Sequence, residues 1–166
     1  MGGLATVGIE RMAELGSTTN LRGEVQTAIN AGSAFSVISG GGTGSPGTAR
    51  ASFTIAKSHP LVTLVTMIAP SPDWFVGVDG LELRRHGRWL DMVAVDLDPY
   101  DAGTDSGPNF TSANNDTNPQ DPISVITGFP FTNTPPLGTF TFQRVPEPSG
   151  FVVLSLGAML AAQRRR

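Results

Sequence analysis

Cysteine is missing from all 166 residues, which excludes disulfides, thiolate metal ligands and cysteine nucleophiles together. Histidine is nearly as scarce: His59 and His86 are the two imidazoles, too few for a zinc site built from histidines. Charged residues make up 15% of the chain and the net charge is −3. Three of the eleven basic residues are the terminal Arg164, Arg165 and Arg166, so the body is more acidic still. Overall charge therefore gives no basis for nucleic acid binding, which needs clustered Lys and Arg. No G-x-S-x-G element occurs, so a serine hydrolase has no nucleophile elbow. A charged segment followed by an apolar one is absent from the N-terminus, so no signal peptide is read there. Because export needs such a signal, the sequence is expected to begin late, at an internal Met.

Glycine and proline are plentiful, at 20 and 13 residues, and favour turns and short strands over long helices. The length suits one domain with a single core. The first thirty residues read as two short helices. In "VGIERMAELGS", Ile9, Met12 and Ala13 share a face, Glu10, Arg11 and Glu14 lie largely elsewhere, and Gly16 stops the helix. In "STTNLRGEVQTAINAG", Thr18 or Thr19 caps a run carrying Leu21, Val25 and Ile29, and Gly32 follows its end. "GGGTGSPG", residues 40–47, has no Lys and no following helix, so it reads as a linker and not a phosphate cradle.

Beyond it the period changes to two. "ASFTIA", "LVTLVTMIA", "WFVGV", "LEL", "RWLDMVAVDL", "ISVITG" and "GTFTFQRV" read as strands, with a hairpin dipeptide at Asp79-Gly80. Trp89, Val93, Val95 and Leu97 share one parity. Short strands with Gly and Pro turns predict a mainly β protein, an antiparallel β-sandwich carrying one or two short N-terminal helices.

Three carboxylates stand out. Asp73 lies in "APSPDWF", after one long strand, and Asp101 and Asp105 lie in "DAGTDSG", after another. Loops that follow different strands meet at the ends of a sandwich, so the three can converge. Calcium takes six to eight oxygens from carboxylates, carbonyls and water. Gly103 and Gly107 let carbonyls turn inward, and Thr104 and Ser106 add hydroxyls. Aspartates at turns also cap their own backbone as Asx-turns, and this spacing is not an EF-hand. Asp96 and Asp98 read as solvated. Two other readings stand beside these. "DAGT" has the form of an aspartic protease motif, which would make Asp101 catalytic in a retropepsin-like homodimer sharing a proton between two aspartates. Trp74 and Trp89 could stack on sugars in a carbohydrate-binding module, although Trp is more often core. "NFT" at Asn109 and "NDT" at Asn115 match the glycosylation sequon and read here as loop chemistry.

After "VPEPSG" come twelve uncharged residues, Phe151 to Ala162, and then "QRRR". Twelve residues make roughly 18 Å of helix, short of the roughly 30 Å hydrocarbon core. Pro146-Glu147-Pro148, a membrane segment with Phe151, Val152, Val153, Leu154, Leu156 and Leu160, and the arginine cluster resemble the PEP-CTERM sorting signal of exopolysaccharide-producing bacteria. That resemblance implies export, transient contact with the inner membrane and cleavage by an exosortase. The chain then divides into a domain over residues 1–144 and a sorting tail over 145–166.

"HPLVTLVTMIAPSPDWFVGVDGLEL", "GRWLDMVAVDLDPYDAGTDSGPNF" and "TNPQDPISVITG" resemble the spondin N-terminal domain of extracellular matrix proteins and bacterial exported proteins. The upstream "ATVGIERMAELGS" and "LRGEVQTAI" resemble its helical segment. The resemblance implies a β-sandwich with calcium at one end, held by Asp73, Asp101 and Asp105. It also implies a binding module without catalytic activity, whose partner is an extracellular polymer or a cell-surface protein. The family's opening strands are absent here, Tyr100 stands where Trp is common, and the cysteines of animal members are lacking. An edge of the sandwich is therefore expected to lie unpaired.

Overall fold

The computed structural model describes residues 2–132 and 136–145. The tail assignments, Pro146 to Pro148 and the segment from Phe151 to Leu160, lie outside the described residues.

Helix α1 (Val7–Leu15) starts where the Thr6 hydroxyl accepts the Ile9 N–H at 3.2 Å, and ends at Gly16, left-handed at φ 67°. Met12 and Ala13 are buried and Ile9 packs beside them, as the helical period predicts. Helix α2 (Thr19–Asn30) follows Thr18, whose side chain makes no capping bond, and Gly32 lies past its end at φ 75°. None of its residues is buried. Leu21 packs at the edge of the core, and Glu24 accepts the Gly8 N–H at 2.8 Å and the Thr6 hydroxyl at 2.7 Å. A carboxylate from α2 thus satisfies donors at the N-terminus of α1, where the helix dipole favours negative charge. Gly8 permits the approach: a Cβ there would sit 2.6 Å from the Leu21 Cα.

"ASFTIA" does not form a strand; the region holds only an isolated bridge between Ala56 and His59. Residues 51–54 are exposed and pair with no strand, although the Phe53 ring meets Phe142 edge-on at 6.4 Å. The main sheet runs β1-β2-β6-β7, all antiparallel, from β1 (Leu61–Met67), β2 (Trp74–Glu82), β6 (Pro99–Asp101) and β7 (Ser124–Val125). Asp79-Gly80 is not a hairpin turn. It lies inside β2, where the register against β1 shifts and both residues oppose Thr63. Gly80 takes φ 60°, its N–H donates to the Thr63 hydroxyl at 3.0 Å, and that hydroxyl donates to Asp79 at 3.1 Å. A dipeptide suited to positive φ serves a bulge as well as a turn.

The tight turn comes later, at His86-Gly87 between β3 (Arg84–Arg85) and β4 (Arg88–Trp89). "RWLDMVAVDL" accordingly breaks in two. Its second part, β5 (Met92–Asp96), pairs with β8 (Thr139–Gln143). Val93, Val95 and Leu97 turn inward together, as their parity predicts.

Helix α1 packs on β1 and β2. The core joins Ala5, Met12, Ala13, Phe75 and Ala102, flanked by Val65, Met67, Tyr100 and Ile123. Tyr100 stacks on Phe75 with ring centres 5.6 Å apart, so it supplies aromatic packing in the sheet. The architecture is mainly β, antiparallel and of the sandwich class, with two short helices at the N-terminus. Among the described residues no helix is long and apolar enough to cross a membrane.

Candidate metal centre

The β1–β2 connection is closed by its own side chain. The Ser71 hydroxyl donates to the Ile68 carbonyl and accepts the Trp74 N–H at 3.2 Å, and the Ile68 N–H donates to the Trp74 carbonyl at 2.9 Å. This fixes Asp73 at the mouth of β2, fully buried at 0% exposure. Its Oδ2 accepts three bonds, from the Thr104 N–H at 2.8 Å, the Asp105 N–H at 3.1 Å and the Thr104 hydroxyl at 3.2 Å. Its Oδ1 is buried and has no partner.

Asp101 ends β6 directly opposite Trp74. Its Oδ1 accepts the Gly103 N–H at 2.8 Å, and the Trp74 side chain donates to the same carboxylate. Gly103 takes φ 75°, and a Cβ there would lie 2.1 Å from the Asp121 carbonyl oxygen, so glycine is required twice over. Asp105, 4% exposed, accepts the Gly107 N–H at 2.9 Å through Oδ1 and the Asn115 N–H at 3.1 Å through Oδ2. Gly107 presses on Pro72, where a Cβ would come within 2.6 Å of the ring, and this joins the two loops.

Convergence and Asx-type capping therefore coexist: the two loops meet, and their aspartates also bind backbone N–H groups. Asp96 and Asp98 stay at the surface, Asp96 accepting the Thr139 hydroxyl at 3.1 Å. Among the described residues no three His, Cys, Asp or Glu side chains form a ready-made ligand cluster. Carboxylate oxygens bound to N–H groups nonetheless keep a second lone-pair direction, and calcium takes much of its shell from carbonyls and water.

No ion pair among the described residues offsets this charge. The ion pairs among the described residues are Arg11–Glu10 and Arg144–Asp91, both at 3.8 Å. Burial raises the Asp73 carboxyl above its usual range, against the opposing pull of its Thr104 and Asp105 bonds. Burial, and next the Asp73 charge, raise Asp101 likewise. Glu14 joins them, raised chiefly by burial, with its side chain bonded to Thr104 and the charges of Glu10, Asp73 and Asp105 adding to the effect. The helical wheel placed Glu14 away from the apolar face, and it is away from it. That direction leads toward the carboxylates, and only the docking of α1 on the sheet reveals it.

Trp74 is 3% exposed, with Phe110 and Phe131 edge-on at 5.2 and 5.4 Å, so its faces are not open to a sugar. Beside it an open cleft of about 310 Å3 is lined by Trp74, Asp101, Asp105, Pro108, Ile126 and Phe129.

Antiparallel sheets, a helical pair joined to them through α1 and two Asp loops tied at one end define a small, mainly β module, and comparison with known proteins gives its family. The Spondin_N family model matches residues 1–137. The chain belongs to that family. It is 42% identical to rat Spondin-2 over 123 residues, covering 66% of this chain and 37% of that protein. It is 41% identical to human Spondin-2 over 140 residues, covering 83% and 42%. Human Spondin-1 is 33% identical over 146 residues, covering 81% and 17%. The chain thus spans less than half the length of these relatives.

Proposed function

We propose that this domain is a non-enzymatic calcium-binding adhesion module, exported to the bacterial surface or matrix, where it contacts an extracellular polymer or a cell-surface protein. The observation that carries the metal assignment is the Asp73 Oδ1, buried and unpartnered. A carboxylate oxygen without a donor costs several kcal/mol in a dry interior, and a cation removes that cost. Asp73, Asp101 and Asp105 would hold the ion, with Thr104 and neighbouring carbonyls completing its shell. What supports the adhesive reading is membership of the Spondin_N family. Asp101, the candidate protease aspartate, is bonded within its own chain to Gly103 and Trp74, which favours a structural role.

The tail, Pro146-Glu147-Pro148 with its apolar segment and arginines, supports an exosortase as processing partner and a passing inner-membrane contact. Thermal unfolding with calcium and with chelator tests the metal. The melting temperature is expected to fall in chelator, and Asp101→Asn to abolish the difference. Identical curves for the wild type in both solutions refute the calcium site.

A further inference from the structure

Apart from the terminal arginine cluster, the chain's overall charge conceals a concentrated exception. Eleven Lys and Arg residues occur in the whole sequence, and three of them fall within Arg84–Arg88. These three and His86 make up most of a single β-hairpin. Its base is closed by the Leu90 N–H donating to the Leu83 carbonyl at 3.0 Å, and Leu83 is buried at 9% exposure. Above that base Arg84 pairs with Trp89 and Arg85 with Arg88, leaving a two-residue turn at His86-Gly87.

Two features of this hairpin cost stability. First, Arg85 and Arg88 are directly opposite each other and both exposed. Like charges in that position repel, and neither belongs to an ion pair among the described residues. Of the nearest acids along the chain, Asp91 is the partner of Arg144, and Glu82 forms no ion pair among the described residues. Second, His86 takes φ 49° and Gly87 φ 77°. A turn with two positive φ values suits Asn-Gly or Gly-Gly, and His enters this region more readily than most residues but less readily than Gly.

The hairpin is also held stiff. The Arg84 guanidinium lies over the Trp89 ring at 5.6 Å and its Nη2 donates to the Gly87 carbonyl at 2.6 Å, gripping the turn from beneath. Its Nε is buried without a partner. An exposed turn, braced by Arg84, that carries mutually repelling arginines without ion-pair partners among the described residues is a pre-organised anion receptor.

We propose that the β3–β4 hairpin binds an acidic polysaccharide, a polymer bearing carboxylate or sulfate groups, through Arg85 and Arg88 with His86 at the tip. Charge complementarity selects the polymer. A flat anionic membrane or a DNA duplex would bring the acidic body of the molecule close to like charge. A thin chain touches the tip alone, and charges beyond a Debye length of about 8 Å are screened. Paired guanidinium groups recognise carboxylate and sulfate oxygens in bidentate fashion. The proposal takes its extracellular setting from the adhesive reading above, but the hairpin uses no calcium, so the two fail separately.

The test is titration of the full chain with heparin and with polygalacturonate, in calcium and in chelator, beside neutral dextran, anionic vesicles and duplex DNA. Binding to either acidic polysaccharide, weakened by salt and absent for dextran, is expected. Arg85→Ser/Arg88→Ser is expected to weaken it at least tenfold while leaving the melting temperature equal or higher, since a repulsive pair is removed. Arg85→Lys/Arg88→Lys keeps the charge and is expected to retain part of the affinity. Undiminished binding by the double Ser variant overturns the proposal. So does tighter binding to vesicles or DNA, or a loss confined to Asp101→Asn and chelator, which would assign the polymer to the metal centre.

Discussion

The Oδ2 of Asp73 accepts the Thr104 backbone N–H at 2.8 Å across 31 residues of sequence. One carboxylate oxygen thereby organises the second loop, taking the Asp105 N–H and the Thr104 hydroxyl as well. The other oxygen of the same group is left buried and bare. This division of labour makes Asp73 structural through one atom and a candidate ligand through the other.

Substituting Asp73 separates these roles. Asp73→Ala leaves two buried backbone donors, the Thr104 and Asp105 N–H groups, without an acceptor, while the Thr104 hydroxyl can turn to Glu14; each orphan costs about 1–3 kcal/mol. A loss of about 3 kcal/mol or more is expected by denaturant titration. Asp73→Asn can keep an acceptor toward Thr104 while removing the charge. It is expected to match or exceed the wild type in chelator and to lose the response to calcium.

For the wild type, calcium at a hundredfold excess over its dissociation constant adds about 2.7 kcal/mol, which in a domain of this size is about 8 °C. Differential scanning calorimetry in calcium and in chelator measures it. A shift that saturates as calcium is added is expected.

The pH dependence follows from the raised carboxyls of Asp73, Asp101 and Glu14. A carboxyl whose folded pKa exceeds its unfolded value holds its proton more tightly when folded. Its contribution is fully present below the ordinary carboxylate range, near pH 4, and is lost as pH rises through the folded value. In chelator the melting temperature is therefore expected to rise as the solution is acidified from neutrality toward pH 5. With calcium bound, the charged forms are the stabilised ones and the trend is expected to flatten or reverse.

Gly103→Ala meets two obstacles, a left-handed backbone at φ 75° and the Asp121 carbonyl 2.1 Å from the new carbon. Strain at such a position costs about 1–3 kcal/mol before the clash is counted. Poor folding or a large drop in melting temperature is expected. Gly80→Ala shares the sign of φ but has open space around it, so it serves as the control and is expected to lose less.

Glu24→Ala removes the carboxylate that binds Thr6 and Gly8. Loss of a helix cap costs about 1 kcal/mol. A matching fall in stability is expected, with faster amide exchange at the start of α1 while the calcium response persists.

Much of this was legible in the residues. Met12 and Ala13 face the core because a helical period has one solution, and β5 alternates because one of its faces is covered. That the loop of Asp73 meets the loop of Asp101 and Asp105 could be read from loops that follow different strands toward one end of the sheet. Three things were not legible. "ASFTIA" alternates well but finds no strand to pair with, and strand formation is a property of pairs. Asp79-Gly80 and His86-Gly87 both offer positive φ, and only the pairing register tells a bulge from a turn. Glu14 needed the angle at which α1 docks, which no local pattern encodes.

Gly103 sits between a segment made early and one made late: its neighbour Ala102 donates to the Asp73 carbonyl at 3.3 Å, and its own carbonyl accepts the Asp121 N–H at 2.9 Å. During synthesis the ribosome delivers Asp73 first, then Asp101 and Asp105, and Asp121 last. A nascent chain that ends before Asp121 already carries all three aspartates, yet has no wall against which to set the loop that aims them. The bonds from Asp73 to Thr104 and Asp105 can form before that wall exists, and the setting of Gly103 is the step that waits for Asp121.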